Sequence, residues 1–216
     1  MNLKKELPII GIVLLPFVYL AIIWNKLPQK VPVHRNIRGE IDRYGEKTEM
    51  ILIPVLLPLL VYLIFLVVPK IDPKNKLNKT GNKLNSLKFV LTTLMSGLAL
   101  FLIFSAHHQN FTNPNLIFVF IGLMYLVFGN YFKTIKANYF IGIRTPWTLE
   151  SEAVWKKTHR LAGKLWLAGG LLVIISALFL DDKMNVLTFF IITGIITLVP
   201  AVYSYFIFKK ENKASS

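Results

Sequence analysis

The amino-acid sequence predicts an all-α integral membrane protein with six transmembrane helices. Of its 216 residues, 54% are hydrophobic and only 17% are charged, and the mean hydropathy is +0.54. About 20 helical residues cross a hydrocarbon core of about 30 Å, and a helix satisfies its own backbone hydrogen bonds within lipid. Apolar stretches of that length, free of charge in their interiors, cover residues 8–25, 50–69, 89–106, 114–132, 163–180 and 186–208.

The first span has the pattern of a signal sequence that is not removed. Lys4 and Lys5 precede its apolar core, as basic residues precede the core of a secretory signal peptide. The core is long for a signal peptide, and no small-x-small cleavage site follows it. We therefore expect a retained signal anchor.

The distribution of lysine and arginine predicts the orientation of the chain. Two of these residues precede the first span, six lie between spans two and three, seven between spans four and five, and three in the tail. That side of the membrane holds 18 basic residues and the other side holds 7. Because cytoplasmic loops carry the excess of basic residues, both termini are predicted to be cytoplasmic. The same retention accounts for the net charge of +14, so no direct nucleic-acid partner is predicted.

The longest predicted outer segment, residues 26–49 between spans one and two, has the pattern of a short β-hairpin packed against the membrane face. Val31 and Val33 alternate with polar neighbours, and Gly39 and Gly45 offer turn positions. Prolines in this segment would confine such a strand to the edge of a sheet.

His34, in this loop, could be a metal ligand or a proton acceptor. No second histidine lies at ligand spacing, and a cluster with His107 and His108 forms only if two outer loops meet. The favoured role is a structural hydrogen bond or a surface for a partner. The chain has no cysteine, which excludes disulfides, thiol catalysis and cysteine-ligated metal centres. No metal and no other cofactor is predicted.

The segment between spans four and five, residues 129–166, is dense in polar and aromatic side chains and holds three of the four tryptophans. Thr145 and Pro146 have the pattern of an N-cap and a first helical residue. Apolar side chains then recur at three- and four-residue spacing, opposite a charged face. We expect an amphipathic interfacial helix on the cytoplasmic side, where tryptophan suits the membrane boundary, running on into span five.

The lead-in to this helix, NYFIGIRTPW, contains Asn138, Gly142 and Arg144. A plain connector would not need such specific backbone and charge chemistry. Arg144 could bind a phosphate, a carboxylate or a helix C-terminus. The pattern therefore favours a structured docking surface over a plain connector.

The inner segment resembles the SdpI family of bacterial membrane immunity proteins. The residues that carry this resemblance are Gly129-Asn130-Tyr131, Lys136, Asn138, the run FIGIRTPWTL at 140–149, Val154-Trp155 and Thr158-His159-Arg160. The outer loop resembles the domain of unknown function DUF1648, which commonly precedes that family's segment, in Leu27-Pro28, Val31-Pro32, His34, Asn36, Gly39, Asp42 and Tyr44-Gly45. Arg35 stands where an aromatic residue is expected.

The resemblance and the charge pattern together predict four parts of the chain. A DUF1648-like segment with two spans covers residues 1–69, and a basic cytoplasmic connector that rests on anionic lipid covers 70–88. An SdpI-like domain with four spans covers 89–208, and a cytoplasmic tail covers 209–216.

The resemblance implies a protein of the bacterial cell membrane that protects its cell from a secreted, membrane-permeabilising peptide toxin. It also implies a receptor that, with toxin bound, holds a winged-helix autorepressor at the membrane. The expected partners are thus the toxin outside, the repressor inside, and membrane lipid. The residues expected to face the toxin are Pro28, Val31, Pro32, His34, Asn36, Gly39, Asp42 and Tyr44. The residues expected to form the cytoplasmic signalling surface are Asn138, Gly142, Arg144, Thr145, Pro146, Trp147, Trp155, Thr158 and His159.

The alternative to immunity is a small multi-span transporter or a ligand-sensing membrane protein. Ion-coupled carriers place ionisable residues or broken helices at mid-membrane, and no charge lies in mid-span here. An enzyme is not predicted, because the sequence has no paired carboxylates at a plausible separation, no HExxH, no GxSxG and no glycine-rich phosphate loop. His159 has no acidic partner nearby in the sequence, so a packed or interface role is favoured.

Overall fold

The structure, a computed structural model, describes residues 3–36, 38, 40–73, 77, 81–108 and 113–215. Long helices dominate it, and the described residues form one two-stranded sheet. The α-helices are α1 (Leu3–Ile23), α2 (Leu52–Pro54), α3 (Leu60–Ile71), α4 (Asn82–His107), α5 (Leu116–Phe132), α6 (Pro146–Glu150), α7 (Glu152–Phe179) and α8 (Asp182–Ser215). The strands are β1 (Lys30–Arg35) and β2 (Ile41–Glu46).

Five helical segments of the described chain are long and apolar enough to cross a membrane. They are Glu6–Lys26, Lys47–Ile71, Asn82–His107, Glu152–Phe179 and Asp182–Asn212, and α5 is a shorter apolar helix of 17 residues. Large side chains on their outer faces, among them Phe179, Phe190 and Leu198, are more than half exposed. A water-soluble protein rarely exposes so much apolar surface, so the prediction of an α-helical membrane protein is confirmed.

Several helices extend beyond the predicted apolar spans. Helix α4 begins at Asn82 rather than at residue 89, and α7 begins at Glu152 rather than at 163. Polar residues continue a helix at its ends because their side chains can reach the aqueous boundary while the backbone bonds stay intact. Hydropathy marks the apolar centre of a span and not the end of its helix.

The segment Lys47–Ile71 is helical but not uniform. It begins as a 3-10 turn, Lys47–Ile51, and widens to a π-helical turn at Val55–Leu59 between α2 and α3. Pro54 and Pro58 have no N–H, so neither can donate the usual bond to the carbonyl four residues earlier. The backbone accommodates these missing hydrogen bonds by forming a wider turn, and the helix continues beyond it.

The helices pack in two groups that α4 and α5 join. In the first group, Ile9 and Val13 of α1 are buried against Tyr62 of α3, and α1 also packs on α4. In the second group, α5, α7 and α8 bury a core that includes Tyr125 and Val173.

Helices α5 and α7 cross with their backbones in close approach at two glycine pairs. A Cβ on Gly129 would lie 2.9 Å from the carbonyl oxygen of Gly163, and a Cβ on Gly122 would lie 2.8 Å from that of Gly170. Seven residues separate the two glycines on each helix, which is about two turns, so both pairs lie on one face. Small residues allow this approach, which favours helix association within lipid.

Candidate functional site

The predicted hairpin is present between α1 and α2. Strands β1 and β2 pair antiparallel, with Val31 opposite Gly45, and the register shifts on either side of His34. Such a shift is typical of a β-bulge, which bends the strand and re-aims its side chains. The hairpin is anchored because Val31 is fully buried and packs with Leu27 in a core that the adjoining ends of α1 and α4 complete.

The polar side chains of the hairpin have local partners. His34 Nδ1 lies 2.6 Å from Asp42 Oδ1 across the two strands. Asn36 Oδ1 accepts the backbone N–H of Arg38 (2.8 Å) and of Glu40 (3.1 Å), and its Nδ2 donates to the Glu40 carboxylate (2.8 Å). His34 thus makes the structural hydrogen bond that the sequence favoured, and Asn36 shapes the tip of the hairpin.

The residues expected to face a toxin lie in different environments. Val31 is buried, so its expected exposure is wrong, because alternate residues of a strand point to opposite faces and Val31 points inward. Gly39 lies outside the described residues. The others are half-buried (Pro28, Pro32 and Asn36) or exposed (His34, Asp42 and Tyr44).

A cavity of about 580 Å³ opens beside the hairpin. Pro32, His34 and Asn36 line it on one side, and the adjoining ends of α2, α4, α5 and α8 line the others. In the part of the chain that the structure describes, no three histidine or acidic side chains are grouped closely enough to hold a metal ion. The hairpin and the helix ends together line a mostly apolar cavity.

At the other end of the bundle, Asn138 folds the chain between α5 and α6 into a compact turn. Its Oδ1 accepts the backbone N–H of Phe140 (2.8 Å) and of Ile141 (2.7 Å). Its Nδ2 donates to the carbonyl oxygens of Lys136 (2.8 Å) and Ile141 (3.0 Å). The side chain is only 1% exposed, and these bonds use both of its donors and its acceptor oxygen.

Gly142 brings this turn against α7. Its φ of 116° favours glycine, and a Cβ there would lie 2.5 Å from His159 Nε2. His159 Nε2 accepts the backbone N–H of Ile143 (2.9 Å), and Nδ1 lies 2.9 Å from the carbonyl oxygen of Trp155. These contacts assign the donor proton to Nδ1, because Nε2 acts as the acceptor. Trp155 stacks on His159 and donates its indole N–H to the carbonyl oxygen of Ile135 (2.9 Å).

The inner segment is also tied to α8. Thr145 and Thr148 form a reciprocal capping box at the start of α6, which confirms the predicted N-cap. The Thr145 hydroxyl lies 2.9 Å from that of Ser204, and the Ser151 hydroxyl donates to the Glu211 carboxylate (3.2 Å). The chain between α5 and α7 is therefore held by contacts with both α7 and α8.

The predicted amphipathic helix runs on into span five as expected, but it differs from the prediction in two respects. Helix α6 ends at Glu150. Ser151 is the N-cap of a second helix, α7, because its hydroxyl accepts the backbone N–H of Val154 (3.3 Å). Helix α7 then runs unbroken into the long apolar segment. The apolar face of α7 packs on the preceding turn of the chain, where Trp155 is 2% exposed. Periodicity shows that a face is apolar but does not show whether protein or lipid covers it.

Four of the nine residues expected on the signalling surface are interior residues, which corrects that expectation. They are Asn138, Trp155, Thr158 and His159. Gly142, Thr145 and Trp147 are half-buried, and Arg144 and Pro146 are exposed. The Trp147 ring packs on Tyr205 of α8 at 5.1 Å, and Arg144 donates to the carbonyl oxygen of Tyr139 (2.7 Å). The four interior side chains therefore shape the inner segment from within.

The first helix group contains a buried ion pair that the sequence did not predict. Lys88 Nζ lies 2.5 Å from Glu6 Oε1, the two side chains are 6% and 10% exposed, and the Tyr62 hydroxyl donates to Glu6 Oε2 (3.1 Å). Both charges flank predicted spans, where charged residues are ordinary. The only signal was an isolated acid among the basic residues of the N-terminus.

A second missed cluster lies beside the cavity. Asn185 Nδ2 donates to Asn115 Oδ1 (2.8 Å), and the Ser176 hydroxyl donates to Asn185 Oδ1 (2.9 Å). All three side chains are buried, so the bonds offset the loss of water. The cluster joins the ends of α5, α7 and α8.

Replacing Gly142 with alanine should lower the free energy of unfolding by about 2–4 kcal/mol, because the new Cβ meets both an unfavourable φ and the His159 ring. The thermal unfolding midpoint in detergent, followed by tryptophan fluorescence, measures this. Gly194→Ala is the control, since a Cβ there meets nothing within 4 Å. Equal midpoints for the two variants would contradict the packing described for Gly142.

Two parts of the chain match known protein families. Residues 134–204 match the SdpI/YfhL protein family, and residues 11–57 match DUF1648. Immunity protein SdpI of Bacillus subtilis (strain 168) is 26% identical over 212 residues, which is 97% of this chain and 99% of that protein. No solved structure matches the chain. The first match contains both Thr145 and Ser204, and the second contains the whole hairpin. The resemblance drawn from the sequence motifs is confirmed.

Proposed function

We propose that this chain, which belongs to the SdpI/YfhL protein family, protects its bacterium from a secreted peptide toxin that permeabilises the membrane. The observation that carries this proposal is the end-to-end likeness to an immunity protein, which spans 97% of the chain. A multi-pass protein of the bacterial membrane is in the right place for this role, because it meets such a toxin where the damage occurs.

In the proposed topology α5 is a sixth span and both termini are cytoplasmic. Helix α5 has 17 residues, which rise about 25 Å, and the adjoining turns supply the remaining length. The side that would face the cytoplasm carries 18 of the 25 lysines and arginines. The hairpin and the cavity then lie outside, and the segment between α5 and α7 lies inside.

The toxin is proposed to bind at the hairpin end. The contacts of His34 with Asp42 and of Asn36 with Glu40 hold an exposed surface in one shape. A surface shaped before binding loses less conformational freedom when it meets a partner. Binding there would keep the toxin in a form that does not permeabilise the membrane.

The inner segment is proposed to hold a winged-helix repressor when the toxin is bound. Arg144 and Pro146 are exposed there and could contact a protein, while Asn138 and His159 would maintain the surface from inside. Helices α7 and α8 run from the cavity end to this segment. A toxin that binds one arrangement of these helices more tightly would increase the population of that arrangement, and the inner surface would change with it.

Survival and membrane potential test the immunity role. A toxin-sensitive bacterium that expresses this protein should keep its membrane potential, followed with a potential-sensitive dye, when the toxin is added. Replacing His34 or Asn36 with alanine should reduce protection by about tenfold in toxin concentration, the scale of roughly 1.4 kcal/mol in binding. Gln29→Ala, an exposed change next to β1, is the control and should protect fully.

Collapse of the potential despite verified membrane insertion would refute immunity to that toxin. The signalling role has its own readout, a reporter gene under the repressor. Arg144→Ala should abolish induction of the reporter and leave protection unchanged. Loss of both by a variant that still folds and inserts would show that the two faces are not separate.

A further inference from the structure

The cavity beside the hairpin has the size and the walls of a binding site for an apolar group. Its volume of about 580 Å³ falls within the range of about 300–1,000 Å³ that is usual for ligand pockets. Val33, Ile53, Phe101, Leu102 and Phe118 line it, from the hairpin, α2, α4 and α5. The cavity could bury several apolar side chains of one ligand.

The ionisable groups around the cavity are His34, Glu49 and Asp182. No lysine or arginine whose side chain the structure describes lines it. His34 is engaged with Asp42, and one oxygen of Glu49 accepts the backbone N–H of Glu46 (2.9 Å). Two carboxylates therefore border an apolar space, where charges interact more strongly than in open water.

This combination suits a peptide better than an anionic phospholipid. A phospholipid without an amine would bring only a phosphate towards Glu49 and Asp182, and like charges repel more strongly in partly apolar surroundings. A peptide amine would instead find two carboxylates at the border while its neighbouring apolar side chains fill the space. The charge of the cavity border thus separates the two kinds of occupant.

We infer that this cavity binds an apolar segment of a peptide toxin that carries a positively charged amine, with Glu49 and Asp182 receiving the amine. The inference rests on the proposed immunity function and extends it. It moves the centre of toxin recognition from the exposed hairpin face to residues of α2, α4, α5 and α8, which are not among the motif residues that carried the family resemblance. Helices that both line the cavity and reach the inner segment are then in direct contact with the toxin.

Cavity-filling variants test the site. The protein, in lipid nanodiscs, is titrated with the fluorescently labelled toxin peptide used in the protection assay. Val186→Trp fills the cavity from α8 and should weaken binding at least about tenfold, since burial in a well-packed pocket dominates such affinities. Leu187→Trp, on the next residue but 53% exposed on the outer surface, is the matched control and should bind like the original protein. Ser105→Phe, from α4, is a second filling variant should Val186→Trp fail to fold.

The charge is tested by a cycle of one substitution and one chemical change. Asp182→Asn should weaken binding about threefold to tenfold, within the scale for a partly exposed charge pair. Acetylating the amino groups of the toxin should weaken binding to the original protein more than Asp182→Asn does, because it removes the contacts with both carboxylates. The same acetylation should have a smaller effect on Asp182→Asn, in which only Glu49 still receives the amine. Asp181→Asn is the control, because asparagine can keep its cap on Met184 (3.1 Å) and its side chain does not line the cavity.

Each outcome decides one of the two proposals. Equal affinity of Val186→Trp and Leu187→Trp overturns the inference, and full protection of cells by Val186→Trp does so while immunity stands. Binding that Val186→Trp weakens and Leu187→Trp does not, without protection of cells, supports the cavity and refutes immunity. Undiminished binding of the acetylated toxin, with displacement when phosphatidylglycerol replaces phosphatidylcholine in the nanodiscs, overturns the inference in favour of a lipid site. No binding by the original protein overturns it outright.

Discussion

Replacing Gly170 with valine is expected to prevent α5 and α7 from packing and to lower the free energy of unfolding by more than about 3 kcal/mol. A Cβ at this position would lie 2.7 Å from the carbonyl oxygen of Gly122 and 2.9 Å from the backbone nitrogen of Leu126. Both atoms belong to the backbone of α5, so no rotamer change relieves the contact and the helices must separate. Separation also loosens the second glycine pair, and close packing is what holds helices together within lipid.

The midpoint of unfolding by sodium dodecyl sulfate in mixed micelles measures this effect. Gly194→Val makes the same chemical change in α8, where a Cβ meets nothing within 4 Å, and should shift the free energy of unfolding by less than about 1 kcal/mol. Similar midpoints for the two variants would mean that α5 and α7 do not cross at these glycines.

Replacing Lys88 with methionine should destabilise the protein by about 3–5 kcal/mol, the usual cost of removing one member of a buried ion pair. Methionine preserves the length of the side chain, so the main loss is the charge that faces Glu6. The carboxylate would keep the Tyr62 hydroxyl as a partner but would lose its counter-ion in a site where it is only 10% exposed. Because the pair joins α1 to α4, the first helix group should loosen.

A double-mutant cycle separates the charge from the shape of the side chains. Adding Glu6→Gln to Lys88→Met should recover most of the lost stability, since the glutamine amide needs no counter-ion. Lys157→Met is the control: its pair with Glu211 joins side chains that are 52% and 27% exposed and should contribute only about 0–1 kcal/mol. Additive losses in the double variant would contradict a buried pair.

Local sequence patterns were sufficient for the helices and the hairpin. A charge-free apolar stretch of this length forms a helix within lipid, because a helix satisfies its own backbone hydrogen bonds there. The centres of the predicted spans therefore match observed helices. The alternating valines were enough to predict a hairpin here, but Gly45, which was predicted at a turn, lies within β2 opposite Val31, and Gly39 lies outside the described residues. The Thr145-Pro146 pair likewise located the start of α6, because capping depends only on adjacent residues.

The candidate site was less predictable, because its geometry depends on contacts between distant residues. The cavity is lined by residues from Pro32 to Val186, and no local motif links them. The sequence suggested His34 and Asn36 on the hairpin and could not suggest Asp182 or Phe118 beside them. Prediction from pattern therefore found one wall of the cavity and missed the others.

The sequence by itself determined that this chain is a helical membrane protein, where its apolar helices and its hairpin lie, and which family motifs it carries. Only the tertiary structure decided that Trp155 and His159 are interior residues and that Glu6 pairs with Lys88, which is 82 residues away. The physical reason is that composition and periodicity report the chemistry of a helix face. The neighbour that covers the face, protein or lipid, is set by how distant segments pack.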